Sequence, residues 1–201
     1  LTLDFSKHLL DDDAWQALLT LSDTQALPAA FASLIGGEMI NSSEKRPALH
    51  TLLRGTARER QSERSAAVEE TLARMALLVE RIHSGESVGF TGKRFTVVVN
   101  LGIGGSDLGP RLICEALKDE GTPLSGCFVA NIDPDDLDRT LVGLDPETTL
   151  FVICSKSFTT EETLSNARRA IAWLHAAGAR EDALGQHLIA VTTQFDEAGE
   201  W

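Results

Sequence analysis

Apolar and polar positions follow two different rhythms along the chain. Up to residue 85 the apolar residues recur at helical spacing. Asp11 to Asp13 stand ahead of "AWQALLTL" as capping carboxylates, and Thr24 opens "QALPAAFASLIGG" with Pro28 in its first turn. Val68, Leu72, Met75, Val79 and Ile82 then repeat at spacings of four and three, the stripe of a helix that Gly85 terminates. Core packing is the expected use of that stripe. From residue 94 the rhythm shortens to the β-rich runs "FTVVVNL", "CFVANI", "TLFVIC" and "LIAVTT", separated by segments of helical periodicity. Such alternation predicts βαβ units, and therefore an α/β fold with a parallel sheet covered on both faces.

Composition supports a globular reading, since 43% of the 201 residues are apolar, enough for a sizeable core. The formal net charge of −12, without a basic stripe interleaved with aromatics, argues against nucleic acid or an anionic membrane as partner. Any bound anion must therefore be caught locally. Cys114, Cys127 and Cys154 are odd in number, lack C-x-x-C spacing and lie in apolar stretches, which predicts buried free thiols in a reducing cytoplasm rather than a disulfide or zinc framework. No cofactor or metal site is expected. The chain has neither a long apolar run nor the charged-then-apolar order of a signal peptide. It starts at Leu1 and stops at Trp201 just after an apparent strand, as a piece of a longer protein would.

Two stretches carry the chemistry, and both fall at the carboxyl ends of predicted strands, where doubly wound sheets bind ligands. The first, "NLGIGGSDLGP" at residues 100–110, follows "FTVVV". Its glycines permit close approach and positive φ, and Ser106 or Asp107 can cap the next helix, with Pro110 in the first turn. It is not a dinucleotide fingerprint, because the third glycine of G-x-G-x-x-G is replaced by Asp107, whose charge would repel a pyrophosphate. On its own this turn is as readily structural as functional.

The second stretch, "SKSFTTEET" at residues 155–163, packs five hydroxyls and a lysine into nine positions after "TLFVIC". Thr159 with Glu162 makes a capping box for a helix whose apolar positions are Leu164, Ala167, Ile171 and Leu174. Capping leaves Ser155, Lys156 and Ser157 unexplained. They sit where free N–H groups and the positive end of a helix dipole meet an incoming anion, which favours an anion cradle over a plain cap.

Together these two motifs resemble the glucose-6-phosphate isomerase (phosphoglucose isomerase) family. "GGEMINSSEKRPALHTLLR", "SGESVGFTGKRFT" and "LDPETTLFVI" extend the resemblance in order over the whole chain. It implies the amino-terminal portion of such an enzyme: a helical segment over 1–85 packed on a sugar isomerase domain over 86–201, with a second such domain absent. The implied domain is a five-stranded parallel sheet flanked by helices, a flavodoxin-like three-layer sandwich. By position, Ser155, Lys156, Ser157 and Thr160 correspond to the phosphate-binding loop, and Gly105 with Ser106 to the loop that contacts the sugar. Glucose 6-phosphate and fructose 6-phosphate are the implied ligands, the cytoplasm the implied location, and full-length members are homodimeric. Ser157 and Glu161 depart from the threonine and glutamine common in the family, and Glu161 would weaken the cradle if it faced the phosphate.

Aldose–ketose interconversion needs a base at the reacting carbon and groups for the developing oxyanion. The family supplies them from a Gln-x-x-x-Glu stretch, a histidine, an arginine and a lysine, all beyond residue 201, so no catalytic residue is assigned within this chain. His8, His50, His83, His175 and His187 are expected to be structural or surface residues, and Glu200 merely adjoins the chain end. Two functional classes stay open: the phosphate-binding half of an isomerase, inactive alone, or a non-catalytic sugar-phosphate-binding module. A nucleotide-binding fold is disfavoured by Asp107.

Overall fold

The computed structural model describes residues 2–54, 63–119, 121 and 123–199. The chain divides into two compact units, residues 1–75 and residues 76–201.

The first unit is helical. Helix α1 (Asp12–Thr24) starts where the acidic cluster places it, with the Asp11 carboxylate accepting from the Ala14 N–H at 2.8 Å. Thr24 does not open the next helix. Its hydroxyl back-bonds to the carbonyls of Thr20 and Leu21 and so ends α1, while α2 (Leu27–Ile35) starts from Ala26 in the left-handed region, with Pro28 in its first turn. A 3₁₀ turn covers His50–Arg54, and the Phe5 and Trp15 rings stack at 5.2 Å. Among the described residues no single helix is long and apolar enough to cross a membrane; α1 and α2 reach such a length only as a pair bent by 56°.

Helix α3 (Glu63–Ser84) runs out of this unit and ends, as its sequence requires, at Gly85 with φ of +79°. Its apolar stripe serves as core only near that end. Ile82 is buried against Phe95 and Leu150, whereas Leu72, Met75 and Val79 are exposed because no described element covers them.

The second unit is built on a parallel sheet of β1 (Val97–Leu101), β2 (Ser125–Val129), β3 (Thr149–Cys154) and β4 (Leu188–Val191), in the order β2-β1-β3-β4. The α/β class and the flavodoxin-like order stand, but the described sheet has four strands, not five. These four use up the four β-rich apolar runs, and no fifth such run lies among the described residues. The interior pair β1 and β3 carries apolar runs, broken in β1 by Asn100, and is the most buried. Helices alternate with the strands: α4 (Gly105–Ala116), α5 (Pro134–Leu141), α6 (Glu161–Ala176) and the short α7 (Phe195–Gly199).

Alternation along the strands sorts the two faces. Val99, Leu101, Val129, Phe151 and Ile153 meet Leu137 and Leu141 of α5 and Leu164, Ala167, Ala170 and Leu174 of α6 in the main core. Opposite, Leu150 and Val98 pack with Ile82 of α3, and Arg111 of α4 lies over the Phe128 ring at 5.1 Å. The expectation of buried thiols fails for Cys114, which is exposed on α4 near the edge strand β2, while Cys127 and Cys154 are half-buried; all three are free.

His187 is a structural residue. Fully buried before β4, it accepts the Phe90 N–H on Nε2 at 2.9 Å and uses Nδ1 to donate to the Thr149 carbonyl at 2.7 Å. Both ring nitrogens are engaged as a neutral imidazole, and burial lowers its pKa, outweighing the Thr149 bond. The unfolded chain therefore binds the extra proton, and the stability that His187 contributes is complete above about pH 6.5 and declines as pH falls below it. We expect His187→Ala to destabilise the domain by about 3 kcal/mol in urea unfolding, through lost packing and two orphaned backbone groups. The variant should also show a shallower loss of stability on acidification than the parent.

Candidate functional site

In the order β2-β1-β3-β4 the chain leaves β1 in one direction for β2 and comes back across it to β3 and β4. The switch point therefore lies between β1 and β3, and beyond their carboxyl ends opens the crevice in which such sheets bind ligands. The two motifs emerge there side by side. Leu101 pairs with Ile153, so Gly102 and Cys154 are the next neighbours, and a Cβ on Gly102 would stand 3.1 Å from the Cys154 Cβ.

The first loop enters α4 through Gly104, whose φ of 59° and ψ of −120° belong to glycine. Gly104 is the N-cap, with no side-chain cap bond, so neither Ser106 nor Asp107 has the capping role expected of it. Asp107 is instead buried, and its carboxylate accepts from the Arg111 guanidinium at 2.8 Å one turn on. That pairing offsets the charge on which the case against a dinucleotide partly rested; the missing glycine remains. Pro110 lies inside the helix, past its first turn, because α4 already starts at Gly105. Ser106 is half-buried in the first turn, and a Cβ on Gly105 would meet nothing within 4 Å.

The second loop, residues 155–160, is tied down on several sides. Ser155 is buried, its N–H donates to the Val191 carbonyl at 3.1 Å, and its hydroxyl donates to the Thr160 Oγ1 at 3.2 Å. The chain turns on Phe158, which adopts φ of +52° with its side chain buried in the main core. The Lys156 carbonyl accepts from the Thr193 N–H at 3.1 Å and from the hydroxyls of Thr192 and Thr193 at 3.2 and 2.9 Å. Ser157 and Thr159 share a hydroxyl bond of 2.7 Å.

These bonds correct the capping box. Helix α6 begins at Glu161 with Thr160 as N-cap and no side-chain cap bond, because Thr160 faces Ser155 and Thr159 faces Ser157. The hydroxyls are spent on one another, and the positive end of a 16-residue helix is left without a side-chain cap at the switch point. Glu161 is an exposed surface residue bonded to Arg168 at 3.2 Å, so its charge is turned along the helix. An uncapped helix terminus and a lysine on one loop are features that suit an anion, while the loop hydroxyls are bonded to one another.

Thr192 and Thr193 also border the loops and lie outside both motifs, while Asn100 heads the glycine-rich motif without a role that the motif assigns. The "TT" at the carboxyl end of the fourth apolar run and the lone asparagine in "VVVNL" were the available signals. Among the described residues no group of three or more His, Cys, Asp or Glu side chains could hold a metal. His175 is engaged with the Ala179 carbonyl and Glu181, and Glu200 lies outside the described residues. A groove of about 590 Å³ between Ile82, Phe95, Leu150 and Ile189 lies at the other, amino-terminal end of the strands.

Fold and loops thus define a doubly wound α/β domain with two polar loops converging at its switch point. The comparisons narrow this to one family: residues 4–201 match the phosphoglucose isomerase family model, and the chain belongs to that family. It is 43% identical to a glucose-6-phosphate isomerase of Saccharophagus degradans over all of this chain and 37% of that protein. Glucose-6-phosphate isomerase 1 of Rhodococcus jostii is 44% identical, over all of this chain and 38% of that protein. A crystal structure of a glucose-6-phosphate isomerase from Chlamydia trachomatis superposes with a TM-score of 0.71 at 31% identity, covering 92% of this chain and 36% of that one. The chain spans little more than a third of these relatives' length.

The close approach at Gly102 is testable. A Cβ there would also stand 2.7 Å from the Ser106 carbonyl oxygen, so Gly102→Ala should destabilise the domain by about 1–3 kcal/mol. Gly105→Ala, with open space around it in a helix, should leave stability unchanged or raise it by up to about 1 kcal/mol. Thermal unfolding of the two variants checks the contrast.

Proposed function

We propose that this chain is the phosphate-binding part of a glucose-6-phosphate isomerase, the enzyme that interconverts glucose 6-phosphate and fructose 6-phosphate in glycolysis and gluconeogenesis. Ser155, Lys156, Ser157 and Thr160 hold the phosphate, and Gly105 with Ser106 contact the sugar. The observation that carries this reading is the convergence of the two loops at the β1–β3 switch point, in a member of the phosphoglucose isomerase family. The helical segment over 1–85 and the sugar isomerase domain over 86–201 form one part of a larger cytoplasmic protein, homodimeric when whole, in which a second sugar isomerase domain supplies the chemistry.

The division of labour follows from the residues present. A phosphate remote from the reacting carbons contributes binding energy that fixes the sugar in place, but binding without groups for the transition state leaves the chemical barrier where it is. The cradle loop offers hydroxyls, backbone N–H and a lysine; beside it stand the helix carboxylates Glu161, bonded to Arg168, and Glu162, and the buried histidine His187 is committed to two backbone partners at the opposite strand ends.

Two outcomes are expected. Charge-assisted hydrogen bonds are worth about 1.5–3 kcal/mol each, so Ser155→Ala combined with Lys156→Ala should weaken binding of inorganic phosphate and of fructose 6-phosphate at least about tenfold. Calorimetric titration showing equal affinities in parent and double variant overturns the cradle. The 201-residue chain should also show no isomerase turnover while binding fructose 6-phosphate at about millimolar affinity. Turnover in a coupled assay that scales with chain concentration and vanishes in Ser155→Ala would place the base within residues 1–201 and refute the division of labour.

A further inference from the structure

Asn100 occupies an interior strand and is 7% exposed, in a run otherwise filled by valine and leucine. A buried amide in such a place must be paired, and it is engaged on both atoms. Its Nδ2 donates to the Ser106 carbonyl at 3.0 Å, and its Oδ1 accepts from the Cys154 thiol at 3.2 Å. Burial raises the Cys154 pKa, which keeps the S–H in place as donor and fixes the sense of the amide.

The Ser106 carbonyl needs this outside donor because of Pro110. In an α-helix the carbonyl of residue 106 accepts from the N–H of residue 110, and proline has none. Pro110 therefore leaves an unpaired acceptor in the first turn of α4, turned toward the strand. Gly102 is packed so closely against this carbonyl that a Cβ would approach it to 2.7 Å. The Asn100 amide fills the gap that proline leaves, from the strand beneath.

We infer that Asn100 is a positioning residue, which with Pro110 fixes the Ser106 turn and through Cys154 ties that turn to the phosphate loop beginning at Ser155. The inference rests on the functional reading above and deepens it: strand register brings the two loops together, and one buried amide holds the sugar-contacting turn against the phosphate cradle. A valine or leucine at residue 100 would fill the same volume and leave both loops free to shift.

Four chains test it: the 201-residue parent, Asn100→Leu, Pro110→Ala and the combination. Each is titrated with inorganic phosphate, which needs only the cradle, and with fructose 6-phosphate, which needs both loops. Asn100→Leu should weaken fructose 6-phosphate binding about three- to tenfold, the weight of one neutral hydrogen bond, and leave phosphate binding nearly unchanged. Pro110→Ala restores an N–H at residue 110 that can take over the Ser106 carbonyl, so in that background Asn100→Leu should cost much less, both in binding and in urea unfolding. If Asn100→Leu alone does not fold, the combination should fold; failure of both overturns the pairing. Equal effects of Asn100→Leu in the two backgrounds, or equal losses for phosphate and fructose 6-phosphate, also overturn it. A parent chain that binds neither ligand overturns instead the functional reading on which the positioning role rests.

Discussion

Everything at the carboxyl end of this sheet depends on the parallel register of β1 and β3. Leu101 lies opposite Ile153, and the next step along each strand brings Gly102 against Cys154. A slip of β1 by one residue would exchange its faces and put Val98 and Asn100 into the core that Val99 and Leu101 now fill. Hydrophobic burial on one face thus sets the position of two polar loops that contribute little to the core themselves. Phe158 is the exception, since its buried ring joins the second loop to that same core and forces the left-handed turn that follows Ser157.

The loops are stabilised by polar groups spent on backbone and on each other. Thr192 and Thr193, at the end of the edge strand β4, hold the Lys156 carbonyl, and the Val191 carbonyl holds the Ser155 N–H. Ser155 and Thr160 close the loop across its own neck. The backbone at the start of α6 is thus fixed in place beforehand, which lowers the ordering cost of any binding there. The price in stability is modest: one helix goes without a side-chain cap, a loss of about 1 kcal/mol.

How far these features are legible in the sequence differs by kind. The four strands and the helix ends at Asp11 and Gly85 are written in local chemistry, as apolar runs, a capping carboxylate and a glycine that accepts positive φ. The two loops are legible as unusual composition at strand ends. What composition cannot convey is which hydroxyl bonds which partner. Thr159 and Glu162 satisfy the capping-box pattern, yet Thr159 pairs with Ser157 and the helix starts one residue later, because the loop closes through Ser155 and Thr160. Pro110 reads as a helix start, yet it is accommodated further in because a side chain ten residues upstream, on a strand, replaces the missing donor. The exposed stripe on α3 fails for a related reason: periodicity marks an apolar face but not the element that covers it.

Charge raises a last question, since a protein of net charge −12 has a surface that repels a phosphate. At physiological salt that field is screened within about 8 Å, so the groups close to the loops decide the outcome. Of the three carboxylates in the first turns of α4 and α6, Asp107 is turned to Arg111 and Glu161 to Arg168, each on its own helix, while Glu162 stands half-buried beside Glu161. The exposed Glu161–Arg168 pair adds little to stability, and Asp107 gains from its place at a helix amino terminus. Their joint effect is electrostatic housekeeping at the crevice. With these two carboxylates paired to arginines, less negative charge faces the crevice beyond β1 and β3 than the composition alone suggests, and the amino terminus of α6 sets a positive dipole end against the remaining Glu162.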